Sequence, residues 1–103
     1  MSTKKSTAMR FMEKVAGGPL TLSGLIEAIR LGEEESQPVF AKRLGISRSH
    51  LNDIEKGNKA VSPERAAKFA KLLGYSPEAF VKLALQDLVD RSGLHLQVEV
   101  KAA

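Results

Sequence analysis

Apolar residues recur along this chain with two different periods, and the change of period divides it. Leu22, Leu25, Ile26 and Ile29 follow the i, i+3, i+4, i+7 rule and predict a helix ending near Leu31, with Thr21 or Ser23 as its cap. Phe40, Ala41 and Leu44 share one face of a second helix, which Gly45 ends because glycine accepts a positive φ. Ser47 then caps a third helix whose inward residues are Leu51 and Ile54. The tripeptides Ser62-Pro63-Glu64 and Ser76-Pro77-Glu78 each combine a capping hydroxyl, a φ-fixed first residue and an acid at the positive helix end. They open a fourth helix with Ala66, Phe69, Ala70 and Leu73 inside, stopping at Gly74. A fifth follows with Phe80, Leu83, Ala84 and Leu88 inside, stopping at Gly93.

After Gly93 the period becomes two: Leu94, Leu96, Val98 and Val100 alternate with His95, Gln97, Glu99 and Lys101, the pattern of a half-buried strand. No other part of the sequence reads as a strand, and a lone edge exposes unpaired backbone groups. The economical partner is the same strand from a second copy across a two-fold axis; a frayed tail and a strand offered to a different protein are the competing readings. The expected fold is therefore all-α, a five-helix body with a short C-terminal β-strand paired across a dimer. Residues 1–19 are expected to be a flexible basic arm, 20–92 the helical domain and 93–103 the strand and tail.

The polar positions of the third helix carry the chemistry. With Leu51 and Ile54 inward, Arg48, Ser49, Asn52 and Asp53 are left on the opposite face as a row of hydrogen-bonding groups. The surrounding markers are Gln37 at the start of the second helix, Ala41 at its fifth position, the turn at Gly45 and the ending Ile54-Glu55-Lys56-Gly57. Together they resemble the lambda repressor and Cro-like helix-turn-helix family, often called the Xre family, over about Thr21 to Tyr75. That resemblance implies a recognition helix read against base edges, and a pairing of Glu55 with Arg30, seven residues before Gln37.

Each polar residue has a chemical role in that setting. Arg48 suits a bidentate contact to guanine and Asn52 one to adenine; Ser49 suits either a base or a phosphate. Asp53 either accepts from cytosine or holds Arg48 or Asn52 in place. Gln37 sits where free amides and the helix dipole favour a phosphate, and its side chain can bridge that phosphate and the recognition helix; Ser47, Lys56 and Lys59 flank the third helix and suit phosphates too. A solvated helix face is the plain alternative for the row, and an ordinary first-turn residue the alternative for Gln37. Lys42, Arg43 and Arg65 read as solvated charges, and Arg30 with Glu55 as a structural pair fixing the angle between the first and third helices.

Charge and composition narrow the partners. The chain has 103 residues, one domain by size, with a net charge of +4 and a sequence pI near 9.6, which favours a polyanionic partner. Between Ser36 and Arg65 six basic residues face three acidic ones, so the charge sits beside the motif. With no cysteine there is neither a disulfide scaffold nor a thiolate metal site. The first twenty residues hold no apolar run suited to a signal or membrane segment, so the cytoplasm is the expected compartment. His50 and His95 lie far apart without partners at ligand spacing, Glu33-Glu34-Glu35 reads as a solvated run before a helix, and Gly17-Gly18-Pro19 is a hinge with no phosphate-loop Lys-Ser or Lys-Thr after it. No catalytic residue, metal or cofactor is expected. The expectation is a homodimeric repressor on an inverted-repeat operator in double-stranded DNA. By analogy with small regulators of this layout it is the autoregulating antitoxin of a toxin-antitoxin pair that also covers a toxin; a phage-type repressor, or an interaction module that keeps the fold without reading DNA, are the alternatives.

Overall fold

The computed structural model describes residues 20–103. Five helices follow in order: α1 (Leu22–Gly32), α2 (Gln37–Leu44), α3 (Arg48–Glu55), α4 (Pro63–Leu73) and α5 (Pro77–Arg91). The expected N-terminal arm, residues 1–19, lies outside the described residues.

Local chemistry accounts for most of the boundaries. Thr21, Ser36, Ser47 and Ser62 each accept a backbone N–H from the first turn of α1, α2, α3 and α4. Ser76 occupies the corresponding place before α5, but its hydroxyl donates instead to Glu78 at 2.7 Å, so the second Ser-Pro-Glu tripeptide caps by position without the expected side-chain bond. The turn between α2 and α3 depends on Gly45, whose φ of +74° lets Ile46 N–H reach Ala41 O at 3.0 Å and swings the chain into the next helix.

The helices wrap one core. Ile26, Phe40, Leu44, Leu51, Ile54, Phe69 and Phe80, drawn from all five helices, are its largest members, each no more than 1% exposed. α4 and α5 pack closely against each other, and the Tyr75 ring leans on Phe80 with centroids 5.9 Å apart. All four predicted inward residues of α1 are buried, whereas Leu88 on α5 is 39% exposed. α5 is four residues longer than α4, 15 against 11.

The segment after Gly93 departs from expectation. Residues 94–103 form no strand, and the described residues contain none. A ladder needs a second extended segment, and the helical body supplies none. The side chain of Gln86 on α5 takes its place, donating to Leu96 O and accepting from Val98 N–H, both at 2.8 Å. The apolar alternation is split as a result: Val98 and Val100 are half-buried, while Leu94 and Leu96 are 51% and 61% exposed.

Candidate nucleic-acid interface

Helix α3 presents two unlike faces. Leu51 and Ile54 are fully buried; Arg48 and Ser49 are exposed, and Asn52 and Asp53 are half-buried beside them. Ser47, Lys56 and Lys59 are exposed at the two ends of the same helix. The polar row is thus mounted on a rigid apolar seat, with the cationic residues at its margins.

A network of charged and amide groups fixes that seat. Arg30 donates from Nε to Glu55 Oε2 at 2.7 Å and from Nη2 to Glu55 Oε1 at 3.0 Å, a bidentate pair whose side chains are only 12% and 3% exposed. The third arm of Arg30 donates to Glu35 O at 3.0 Å, tying the α1–α2 loop to the same node. Donating to Glu55 raises the Arg30 pKa, against the opposing effect of burial. Gln37 joins from the start of α2: its Nε2 donates to Glu55 Oε1 at 3.0 Å and to Asn52 Oδ1 at 3.2 Å. The structural pair and the polar row are therefore one connected set, in which Gln37 is the link.

Several of these contacts are not visible in the sequence pattern. The run Glu33-Glu34-Glu35, expected to be solvated, is organised by Arg43, which pairs with Glu33 and, at 2.9 Å, with Glu35 while its guanidinium lies over the Phe40 ring. The hydrogen bond to Glu33, then that to Glu35, raises the Arg43 pKa. Glu34 takes a positive φ of 55° to turn the loop between them. Arg65, also expected to be solvated, packs on the His50 ring with Nη1 at 3.3 to 3.4 Å from its nitrogens. Burial first, then the charges of Arg65 and Lys59, lower the His50 pKa against the opposing pull of Asp53. Arg91 near the end of α5 donates to Gly57 O at 2.8 Å, bracing the loop that follows α3. Partners 8 to 34 positions apart leave no periodic trace, which is why spacing alone does not find them.

Among the described residues no group of three or more His, Asp or Glu is arranged to hold a metal, and no helix is long and apolar enough to cross a membrane. A family model described as helix-turn-helix matches residues 36–80. Searches of curated proteins and of solved structures find no match.

Proposed function

We propose, from the premise that residues 36–80 are a helix-turn-helix segment of the lambda repressor and Cro-like type, that the chain is a sequence-specific transcriptional repressor of double-stranded DNA. The observation that supports this most is the division of α3: a polar row, exposed at Arg48 and Ser49 and half-buried at Asn52 and Asp53, over two fully buried apolar residues, held by a part-buried ion pair. In this reading α3 lies in the major groove, Arg48 and Ser49 meet base edges first, and Asn52 and Asp53 follow one turn later. Ser47, Lys56, Lys59 and the N-terminus of α2 at Gln37 take flanking phosphates.

A single short helix covers too few base pairs for an operator, so we read the working form as a homodimer on an inverted repeat. The exposed Leu94 and Leu96 supply an apolar edge that a second copy would cover, completing across the two-fold axis the strand that the single chain does not form. The antitoxin reading, in which the repressor also covers a toxin, is supported only by analogy with small regulators of this layout. Selection of bound sites from random duplexes tests the proposal. The expected product is an inverted repeat with half-sites about 34–36 Å apart or a multiple of that. Uniform binding to all duplexes would leave an interaction module as the better reading.

A further inference from the structure

We infer that Gln86 seals one backbone edge of the C-terminal segment and leaves the other, at His95, Gln97 and Glu99, to pair antiparallel with the same edge of a second copy in one register centred on Gln97. This rests on the homodimer proposed above and specifies its contact. The argument starts at the Gln86 amide. Its Nε2 donates to Asp90 Oδ1 at 2.9 Å and to Leu96 O at 2.8 Å, which uses both hydrogens, and its Oε1 accepts from Val98 N–H at 2.8 Å. An ionised carboxylate accepts only, so Asp90, one turn along α5, fixes which end of the amide faces Leu96 and which faces Val98. The amide thus serves a C=O and the N–H two residues on, as a neighbouring strand would.

Half-buried Val98 and Val100 alternate with exposed Gln97 and Glu99, as an extended segment requires, and along such a segment successive residues turn their backbone groups to opposite sides. With Leu96 and Val98 turned to Gln86, the N–H and C=O groups of His95, Gln97 and Glu99 point away from it, and among the described residues they have no partner. A two-fold antiparallel pair on that edge sets odd residue against odd residue. Centred on Gln97, it places His95 opposite the second copy's Glu99, an imidazole N–H facing a carboxylate on both sides of the axis, and it pairs all four apolar residues, Leu94 with Val100 and Leu96 with Val98. Centring on Leu96 leaves Val100 opposite Ser92 and Glu99 opposite Gly93; centring on Val98 leaves Leu94 opposite Ala102 and sets His95 against Lys101; centring on Glu99 sets two carboxylates together. Charge and apolar complementarity therefore select one register and a second copy of this chain as the occupant.

Full-length wild type, H95E and H95E/E99K are compared by sedimentation equilibrium, and amide hydrogen exchange of the wild-type dimer is read residue by residue. H95E sets carboxylate against carboxylate twice per dimer and should weaken association by roughly tenfold; adding E99K restores opposite charges and should recover most of that loss. In the wild-type dimer the amides of His95, Gln97 and Glu99 should exchange slowly, while those of Leu96 and Val100, on the edge turned to Gln86, stay fast. An H95E dimer that is stronger would place position 95 opposite Lys101, and an unchanged one would place it opposite no charge; either result, or a loss that E99K does not repair, overturns the register while leaving the homodimer. Slow exchange at Leu96 and Val100 in place of the odd-numbered amides, or at none of them, would overturn the edge assigned to the contact. A wild type that stays monomeric would instead overturn the homodimer on which the inference rests, and the inference with it, and would leave the open edge to another protein.

Discussion

Helix α3 and the segment after Gly93 carry similarly simple apolar patterns, yet one is fixed and the other is left half-open. In α3 the backbone bonds are satisfied within the helix, so Leu51 and Ile54 need only a seat, and both are completely buried. The C-terminal segment alternates just as clearly, but a strand satisfies its backbone only against another chain segment. With one side-chain amide of Gln86 as its substitute neighbour, Leu96 stays 61% exposed. The period of a pattern states which structure would bury it; whether burial follows depends on a partner that the pattern does not contain.

The contrast predicts where the chain is sensitive. Glu55→Ala strands the Arg30 guanidinium, 12% exposed, and unties Gln37, so it should destabilise the domain by about 3–5 kcal/mol; Arg30→Ala, leaving the more buried carboxylate, should do the same. Replacing both Leu94 and Leu96 by Lys should move the unfolding free energy of the single chain by no more than about 0.5 kcal/mol, as for other exposed positions. Urea unfolding of the three variants measures the difference, and equal losses would erase the comparison.

Ending the chain after Ser92 sharpens it from the other side. All five helices remain, so the far-ultraviolet signal per helical residue should be kept, while the apolar edge goes. Operator affinity is expected to fall by about a hundredfold as two linked half-site contacts become independent. A truncated protein that sediments as a dimer and binds unchanged would place the interface on the helices.

The smallest expected effect is titration of His50, whose folded pKa is lowered by burial and by Arg65 and Lys59. The unfolded chain then takes up the proton first, so stability is complete above the ordinary imidazole pKa of about 6.5 and is lost as pH falls through the lower folded value. The difference in melting temperature between wild type and H50Q should be flat above about pH 6.5 and shrink below it. A difference that stays constant through acid would remove His50 from the account.

What the sequence discloses follows the same division. The five helices were legible because each writes its own period and its own caps, as Thr21, Ser36, Ser47 and Ser62 do. The polar row of α3 was legible as what remains once Leu51 and Ile54 turn inward. A bridge from Gln37 to the recognition helix is expected from its place at the start of α2, but not its two acceptors, Glu55 and Asn52, which lie 18 and 15 positions away and meet it only when α2 and α3 pack. Nor was the Arg43 bracket around the acidic loop, where a charge run and a distant cation read separately as solvent-facing. For the C-terminal segment the alternation predicts a strand that the structure does not form, because no second extended segment lies beside it.

The central claim, that the exposed face of α3 reads base sequence, is tested most directly by binding of Arg48→Ala to the selected operator and to random duplex at the same salt. The account predicts a loss of about 1–3 kcal/mol on the operator, with the large share of non-specific affinity retained because it depends on phosphate contacts made elsewhere. An equal loss on both DNAs would mean that Arg48 contributes only charge, and would contradict the claim.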